Sequence, residues 1–332
     1  MQVVTAPAPP PLSRSNPSTR APLRAALVQH RWRPDPGELV RSLRTGIALA
    51  AAEGARVVFL PEITLLRYPA DTPGGDGAAA HAEHLTDGPT FRFAAEAAVT
   101  NGVFVHASLY ERAHAEEGVD DDGLGYNTAI LVSPTGELVA RTRKTHIPIS
   151  AGYYEDTYFR PGPADADAYP VYEPPGLGAR IGMPTCWDEW FPEVARSYAL
   201  GGAELVVYPT AIGSEPKFPA FDTQPLWQQV IVANGISNGL FMVVPNRTGD
   251  EGSLSFYGSS FISDPYGRVL VRAPRDEEAV LITDLDLDQR RDWLELFPFL
   301  LTRRPDTYGA LAEPVDQTRP YGVGHLASAV VK

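Results

Sequence analysis

Residues 23–60, LRAALVQHRWRPDPGELVRSLRTGIALAAAEGARVVFL, read as a strand, a helix and a second strand. The run 23–29 is short and apolar, like a strand buried on both faces. Over 36–53, Leu39, Val40, Leu43, Ile47 and Leu49 recur at helical spacing and face inward. Arg56 to Leu60 is a β-branched run closed by Pro61, so a second strand ends there and Glu62 follows it directly.

The alternation continues outward from this unit. A Gly-, Asp- and Ala-rich loop is expected over 72–88, a helix near 89–100 and a strand over 103–109. An acidic loop carries Glu116, Glu117, Asp120, Asp121 and Asp122. Strands at 126–133 and 137–143 flank the turn Pro134-Thr135-Gly136, a hairpin signal. The irregular stretch 146–168 is long enough to suggest a functional loop. A strand at 178–183 leads into Cys186, and Pro192 starts a helix through Leu200. Then come a strand at 204–208, a helix near 222–237, a strand at 241–245, a hairpin over 258–271, a strand at 279–284 and a short helix. No internal repeat or linker divides this stretch. It reads as one α/β domain over 23–310, its sheets covered by helices. The Pro-, Ser- and Ala-rich residues 1–22 are expected to form a disordered tail and residues 311–332 an extended one.

The 332 residues can bury a large core, and 44 % hydrophobic with 21 % charged residues is ordinary for a globular protein. A net charge of −13 repels phosphate backbones, so no nucleic-acid partner is expected. No apolar run is long enough for a membrane helix, and the N-terminus lacks the apolar core of a secretory signal. The single cysteine excludes an intramolecular disulfide and fits a reducing, cytoplasmic location.

That cysteine, Cys186, stands between a strand and a helix, where a side chain is presented outward and backbone N–H groups can face the same point. The competing reading is a buried core cysteine. His30, His81, His84, His106, His114, His146 and His325 are possible bases, but none sits in a papain-like context. Glu62 stands at the carboxyl edge of its sheet, where open α/β sheets bind ligands, although a solvated loop acid is the plainer account. Lys144 also ends a strand and could stabilise an oxyanion and lower a thiol pKa. His81 and His84 in HAEH read as a solvated loop rather than a metal site, so no metal is expected.

The blocks Leu60-Pro61-Glu62, Arg143-Lys144-Thr145-His146-Ile147-Pro148 and Cys186-Trp187-Asp188-Glu189-Trp190-Phe191-Pro192-Glu193 resemble the three signature blocks of the nitrilase superfamily, in the family order. The segments 152–159, 208–216 and 256–262 look like family segments too, most like those of the N-carbamoylputrescine amidohydrolase group. The resemblance runs from about Leu23 to Tyr308. It implies a four-layer α-β-β-α sandwich, no cofactor, and a homo-oligomer built from dimers with interlocking C-terminal tails. It also implies a Glu62–Lys144–Cys186 triad acting through a thioester, with Glu155 orienting Lys144 or the substrate. The Trp187 backbone N–H would share the oxyanion with Lys144. The expected reaction is hydrolysis of an N-carbamoyl amine to amine, CO₂ and ammonia. The alternatives are an amidase for short ω-substituted amides, such as guanidinoalkyl amides, and a non-catalytic scaffold. The intact Glu62, Lys144, Glu155 and Cys186 argue against the scaffold.

Two departures bear on the substrate. Ile63-Thr64-Leu65-Leu66-Arg67-Tyr68 replaces an aromatic-rich stretch, and its Arg67 would either meet a substrate carboxylate or point to solvent. Met183-Pro184-Thr185 replaces an apolar run before the cysteine, and Pro184 removes a ladder donor. A cationic substrate tail would need an acid, for which Glu155, Asp188, Glu189 and Asp76 are candidates. Tyr68, Trp187, Trp190 and Trp227 could line the pocket, though large aromatics more often fill cores.

Overall fold

The structure, a computed structural model, describes residues 1–75, 77–113, 122–150, 152–164, 167–318 and 321. Its strands alternate their side chains between two cores. In β2 (Leu23–Gln29), Ala25 and Leu27 face one apolar cluster while Ala26 and Val28 face another. In β8 (Leu205–Val207), Leu205 and Val207 join the first cluster and Val206 faces a third. The shared cluster lies between two sheets, and the other two lie under helices. This makes an α-β-β-α sandwich, as expected from the resemblance.

The larger sheet also contains β1 (Gln2–Ala6), β3 (Val57–Phe59), β4 (Phe104–Glu111), β5 (Tyr126–Val132), β6 (Leu138–Arg143) and β14 (Ala279–Leu285), in the order β1-β14-β2-β3-β4-β5-β6. The helices α1 (Pro36–Ala52) and α2 (Pro89–Asn101) cover its outer face. Asp35 caps α1 by accepting the N–H groups of Gly37 at 2.7 Å and Glu38 at 3.1 Å, with Pro36 preset at the first position.

The second sheet runs β13-β12-β9-β8-β7, with β7 at Ile181–Gly182, β9 at Phe241–Val244, β12 at Phe261–Ser263 and β13 at Val269–Arg272. Its outer face carries α3 (Pro192–Leu200) and α4 (Gln224–Asn238). A Cβ at Gly182 would collide with the Tyr198 ring of α3, so only glycine lets this strand approach the helix. The helix α5 (Gln289–Leu296) closes the domain.

Several expectations change. The sequence reading missed the hairpin of β10 (Thr248–Glu251) and β11 (Leu254–Tyr257), because Thr-Gly-Asp-Glu has no apolar alternation to read. The strand expected at 178–183 shortens to Ile181–Gly182, where Pro184 interrupts the ladder. The expectation of a disordered tail over 1–22 fails at both ends. Residues 2–6 pair in parallel with β14, from Gln2 opposite Ala279 to Ala6 opposite Thr283. Further along, Arg14 bridges Asp286 and Asp292, each at 2.8 Å, and the Thr19 hydroxyl donates to Asp288 Oδ1 at 2.8 Å. At the other terminus, a short helical turn at Gly309–Ala312 takes in the first two residues of the expected extended run. The acidic-loop residues Glu116, Glu117, Asp120 and Asp121, the candidates Asp76, His114 and His325, and the tail beyond 321 lie outside the described residues.

β1 covers an edge of β14 that would otherwise be open. Deleting residues 1–6 should cost about 2–4 kcal/mol of stability, from a handful of ladder hydrogen bonds and the packing of Val4. Thermal unfolding with light scattering would measure this. An unchanged melting temperature and no added aggregation would show that the strand is dispensable.

Candidate active site

Three strand ends converge on one buried point. Glu62 follows β3, which is flanked in parallel by β2 and β4. The chain turns sharply there: Ile63 has φ +46°, an outlier for a β-branched residue. Such a conformation costs about 1–3 kcal/mol and survives only where its surroundings hold it. Here the Ile63 N–H donates to Ser108 Oγ at 3.0 Å, and the buried Arg247 guanidinium donates to the Ile63 carbonyl at 2.7 Å.

Lys144 follows β6, with its N–H donating to the Asn127 carbonyl at 2.8 Å. Cys186 begins a helical turn over Cys186–Trp190 with φ +40°, and its N–H donates to the Pro209 carbonyl at 3.1 Å. Cys186 and Glu62 thus both sit at strained turns leaving parallel strands. Glu155 comes from a turn at Glu155–Thr157, inside the long irregular segment read as functional.

Glu62, Lys144 and Glu155 are all buried. Lys144 Nζ donates to Glu62 Oε1 at 3.0 Å and to Glu155 Oε2 at 2.6 Å. Asn127 Nδ2 donates to Glu62 Oε1 at 2.6 Å and is itself steadied by the Ser108 hydroxyl at 3.3 Å from Asn127 Oδ1. The Tyr68 hydroxyl donates to Glu155 Oε1 at 2.7 Å. Glu62 Oε2 is buried and has no hydrogen-bond partner among the described residues, so it is the oxygen available for proton transfer. Trp187 lies in the first turn of a helical segment, where an N–H has no intrahelical acceptor and can face an oxyanion.

Electrostatics follow from this packing. Burial works against the Lys144 ammonium, but the Glu155 and Glu62 carboxylates outweigh it and hold the lysine above its usual pKa. Burial, partly offset by Lys144 and reinforced by Glu62, pushes the Glu155 carboxyl up to about 7. Burial and the Glu62 charge raise the Cys186 thiol well above its ordinary value, against the pull of Lys144. The resting cysteine is therefore a thiol that needs a base, and a lone helix-turn dipole or lysine does not ionise it.

The structure thus gathers Glu62, Lys144, Glu155 and Cys186. Tyr68, read as a pocket residue, instead holds Glu155 through its hydroxyl. Asp188, another substrate-binding candidate, is already engaged. It accepts the Thr185 N–H at 3.0 Å, the His146 N–H at 2.9 Å and faces His146 Nδ1 at 2.7 Å. It therefore ties the cysteine turn to the Lys144 loop, and His146, stacked on Phe191 with centroids 3.8 Å apart, is part of the same brace. Arg67 neither points freely to solvent nor waits for a carboxylate: it pairs with Asp71 and donates to the Glu251 carbonyl at 2.9 Å. Trp227 is fully buried against Tyr257 and Phe261, while Trp187 and Trp190 remain half-buried. Glu189 is fully buried with neither carboxylate oxygen hydrogen-bonded. His81 ends a separate exposed turn, and the described residues hold no group of three or more metal-ligand side chains. Sequence reasoning missed Asn127, whose signal was an amide inside the otherwise apolar run 126–133.

Comparison with known proteins agrees with this geometry. The family model described as carbon-nitrogen hydrolase matches residues 24–295. A citrullinase from Francisella tularensis is 32% identical over 295 residues, covering 87% of this chain and 97% of the relative. An N-carbamoylputrescine amidase from Arabidopsis thaliana is 33% identical over 270 residues, covering 79% and 86%. The crystal structure of a carbon-nitrogen hydrolase from Helicobacter pylori G27 superposes with a TM-score of 0.77 at 27% identity, covering 88% of this chain and 98% of that one. A fold with these layers, a glutamate, lysine and cysteine brought together at its strand ends, and relatives that cleave carbon–nitrogen bonds have one reading: the chain belongs to the carbon-nitrogen hydrolase family and is an amidase-type enzyme.

Proposed function

We propose that the enzyme hydrolyses an N-carbamoyl amine of the N-carbamoylputrescine type, with Glu62, Lys144 and Cys186 as the catalytic residues and Glu155 as their electrostatic partner. The observation that carries this reading is the charge of the site. Among the described residues, Glu62, Glu155 and Glu189 gather around Lys144. The arginines of the adjoining loops are spent, Arg67 on Asp71 and Arg247 on Glu251. Such an acid-rich site favours a substrate that brings positive charge and no carboxylate. By the same argument it is less suited to citrulline, which carries both charges.

In this mechanism Glu62 Oε2 takes the Sγ proton, and the thiolate attacks the ureido carbon. The C–O π pair moves onto oxygen, where Lys144 Nζ and the Trp187 N–H hold it. The tetrahedral intermediate collapses with expulsion of the terminal amino group, which takes the Glu62 proton and leaves as ammonia. Water, deprotonated by Glu62, then attacks the carbamoyl thioester. The thiol is restored, and the released carbamic acid breaks down to amine and CO₂. The Glu62–Lys144–Glu155 cluster is complete before substrate arrives, so its orientation is not an added cost of the reaction. Exposed Leu296, Phe297, Leu301 and Leu311 support the homo-oligomer proposed for this chain.

Ammonia and CO₂ should both be released from N-carbamoylputrescine. N-carbamoyl-β-alanine, N-carbamoyl-D-amino acids and 4-guanidinobutyramide complete the panel. Ammonia without CO₂, from 4-guanidinobutyramide alone, would move the enzyme to the short-amide amidases. Cys186→Ala should abolish turnover with the fold intact, and Glu62→Gln and Lys144→Ala should each lower kcat by roughly 10³-fold or more. Near-wild-type turnover by Cys186→Ala would sink the scheme.

A pH dependence follows from Glu155. Its carboxyl is raised to about 7, so lowering the pH through that value protonates it and removes half of the charge that holds Lys144. kcat/KM should therefore fall as pH drops from about 8 to 6, with no loss of folded protein by circular dichroism. A flat profile across that range would contradict this role for Glu155.

A further inference from the structure

Glu189 stands three residues beyond the nucleophile, in the same helical turn. It is buried, its backbone carbonyl is fastened by Asn234 Nδ2 at 3.0 Å, and neither side-chain oxygen has a hydrogen-bond partner among the described residues. Among the described residues, three polar groups in its electrostatic surroundings also lack a partner in hydrogen-bond geometry: the Trp227 indole N–H, the Tyr208 hydroxyl and the Tyr257 hydroxyl, which Thr223 approaches without completing a bond. The Trp227 indole favours the ionised acid, but its N–H does not reach hydrogen-bond geometry. Buried acids kept for stability are paired. This one is unpaired, as are its neighbours, although Asp188 beside it in sequence is fully engaged.

We propose that Glu189, with Tyr257 and Trp227, forms the subsite that receives a protonated primary amine at the end of the substrate remote from the scissile carbonyl. A primary ammonium carries three N–H donors, enough for both Glu189 oxygens and the Tyr257 hydroxyl oxygen. The Trp227 and Tyr257 rings, 5.5 Å apart, supply aromatic surface that favours a cation. Tyr257 also lines a cleft of about 440 Å³ bounded by Gly213, Phe221 and Thr223. Burial and the nearby Glu62 charge raise the Glu189 carboxyl well above its usual range, and a bound ammonium would act in the opposite direction. The proposal rests on the carbamoyl-amine reading for the rest of the ligand, but the subsite itself requires only an alkylammonium.

The test separates binding from turnover. Cys186 is alkylated with iodoacetamide in the presence of butane-1,4-diamine or of pentan-1-ol, a neutral chain of similar length. In the wild type the diamine should protect at far lower concentration than the alcohol. Glu189→Gln should raise the half-protecting diamine concentration roughly 10–100-fold, as expected for loss of a charge-assisted contact, and leave the alcohol unaffected. With N-carbamoylputrescine, KM should rise by a similar factor and kcat change much less. The melting temperature should not fall, because the variant keeps the volume and removes an unpaired buried acid. Tyr257→Phe, a second variant, should weaken diamine protection several-fold. Equal protection by diamine and alcohol in the wild type, or unchanged diamine protection in Glu189→Gln, would overturn the subsite. Diamine protection without turnover of N-carbamoylputrescine would keep the subsite and overturn the reaction reading instead.

Discussion

The site depends on one buried ammonium. Lys144 lies between Glu62 and Glu155 with no exposed surface, and each contact is a charge-assisted hydrogen bond. Removing a lysine from water is expensive, and a single carboxylate partner often does no better than offset that cost. Two carboxylates tip the balance, and the lysine stays charged. Burial, with the second acid held close by, raises Glu155. Lys144 therefore influences the protonation of the groups around it, and in the proposed mechanism it also holds the oxyanion.

Much of the surrounding structure keeps this cluster rigid. Tyr68 and Asn127 each satisfy one oxygen of a glutamate, and Ser108 steadies Asn127 while also capping the turn at Ile63. Arg247 reaches the same turn from the second sheet's side and is neutralised by Glu251 at 2.6 Å. Asp188 joins the cysteine turn to the Lys144 loop. These residues do not touch the reacting atoms. They fix the rotamers of those that do, and the positive φ values at Ile63 and Cys186 show that the backbone is held in place against its own preference.

Charge distribution divides the acids by role. Glu62 retains one free oxygen for proton transfer, Glu155 is saturated by Lys144 and Tyr68, Asp188 is saturated by backbone and imidazole, and Glu189 is left open. Four acids near one thiol would be a poor design if all were ionised. The raised carboxyls of Glu155 and Glu189 relieve that repulsion, and a cationic ligand would relieve it further.

The amino-acid sequence by itself determined the domain class and the residue types of the site. The strand–helix–strand unit over 23–60 was legible because its periodicity is strong and its punctuation, Pro36 and Pro61, is clear. The signature blocks marked Glu62, Lys144 and Cys186 through their resemblance to a known family, since position at a strand end left a plainer reading open for each of them alone. β1 was not legible, since its pairing partner lies more than 270 residues away and the Pro-rich stretch after it dominates local composition. β10 was not legible because its fit to the sheet owes nothing to apolar alternation. Tertiary structure alone decided that Tyr68 and Asn127 orient the carboxylates, and that Asp188 braces the site while Glu189 stays unpaired. Asp188 takes one donor locally, the Thr185 N–H three residues before it, but its His146 donors come from a chain segment more than forty residues distant that the fold brings there, and among the described residues none reaches the Glu189 carboxylate.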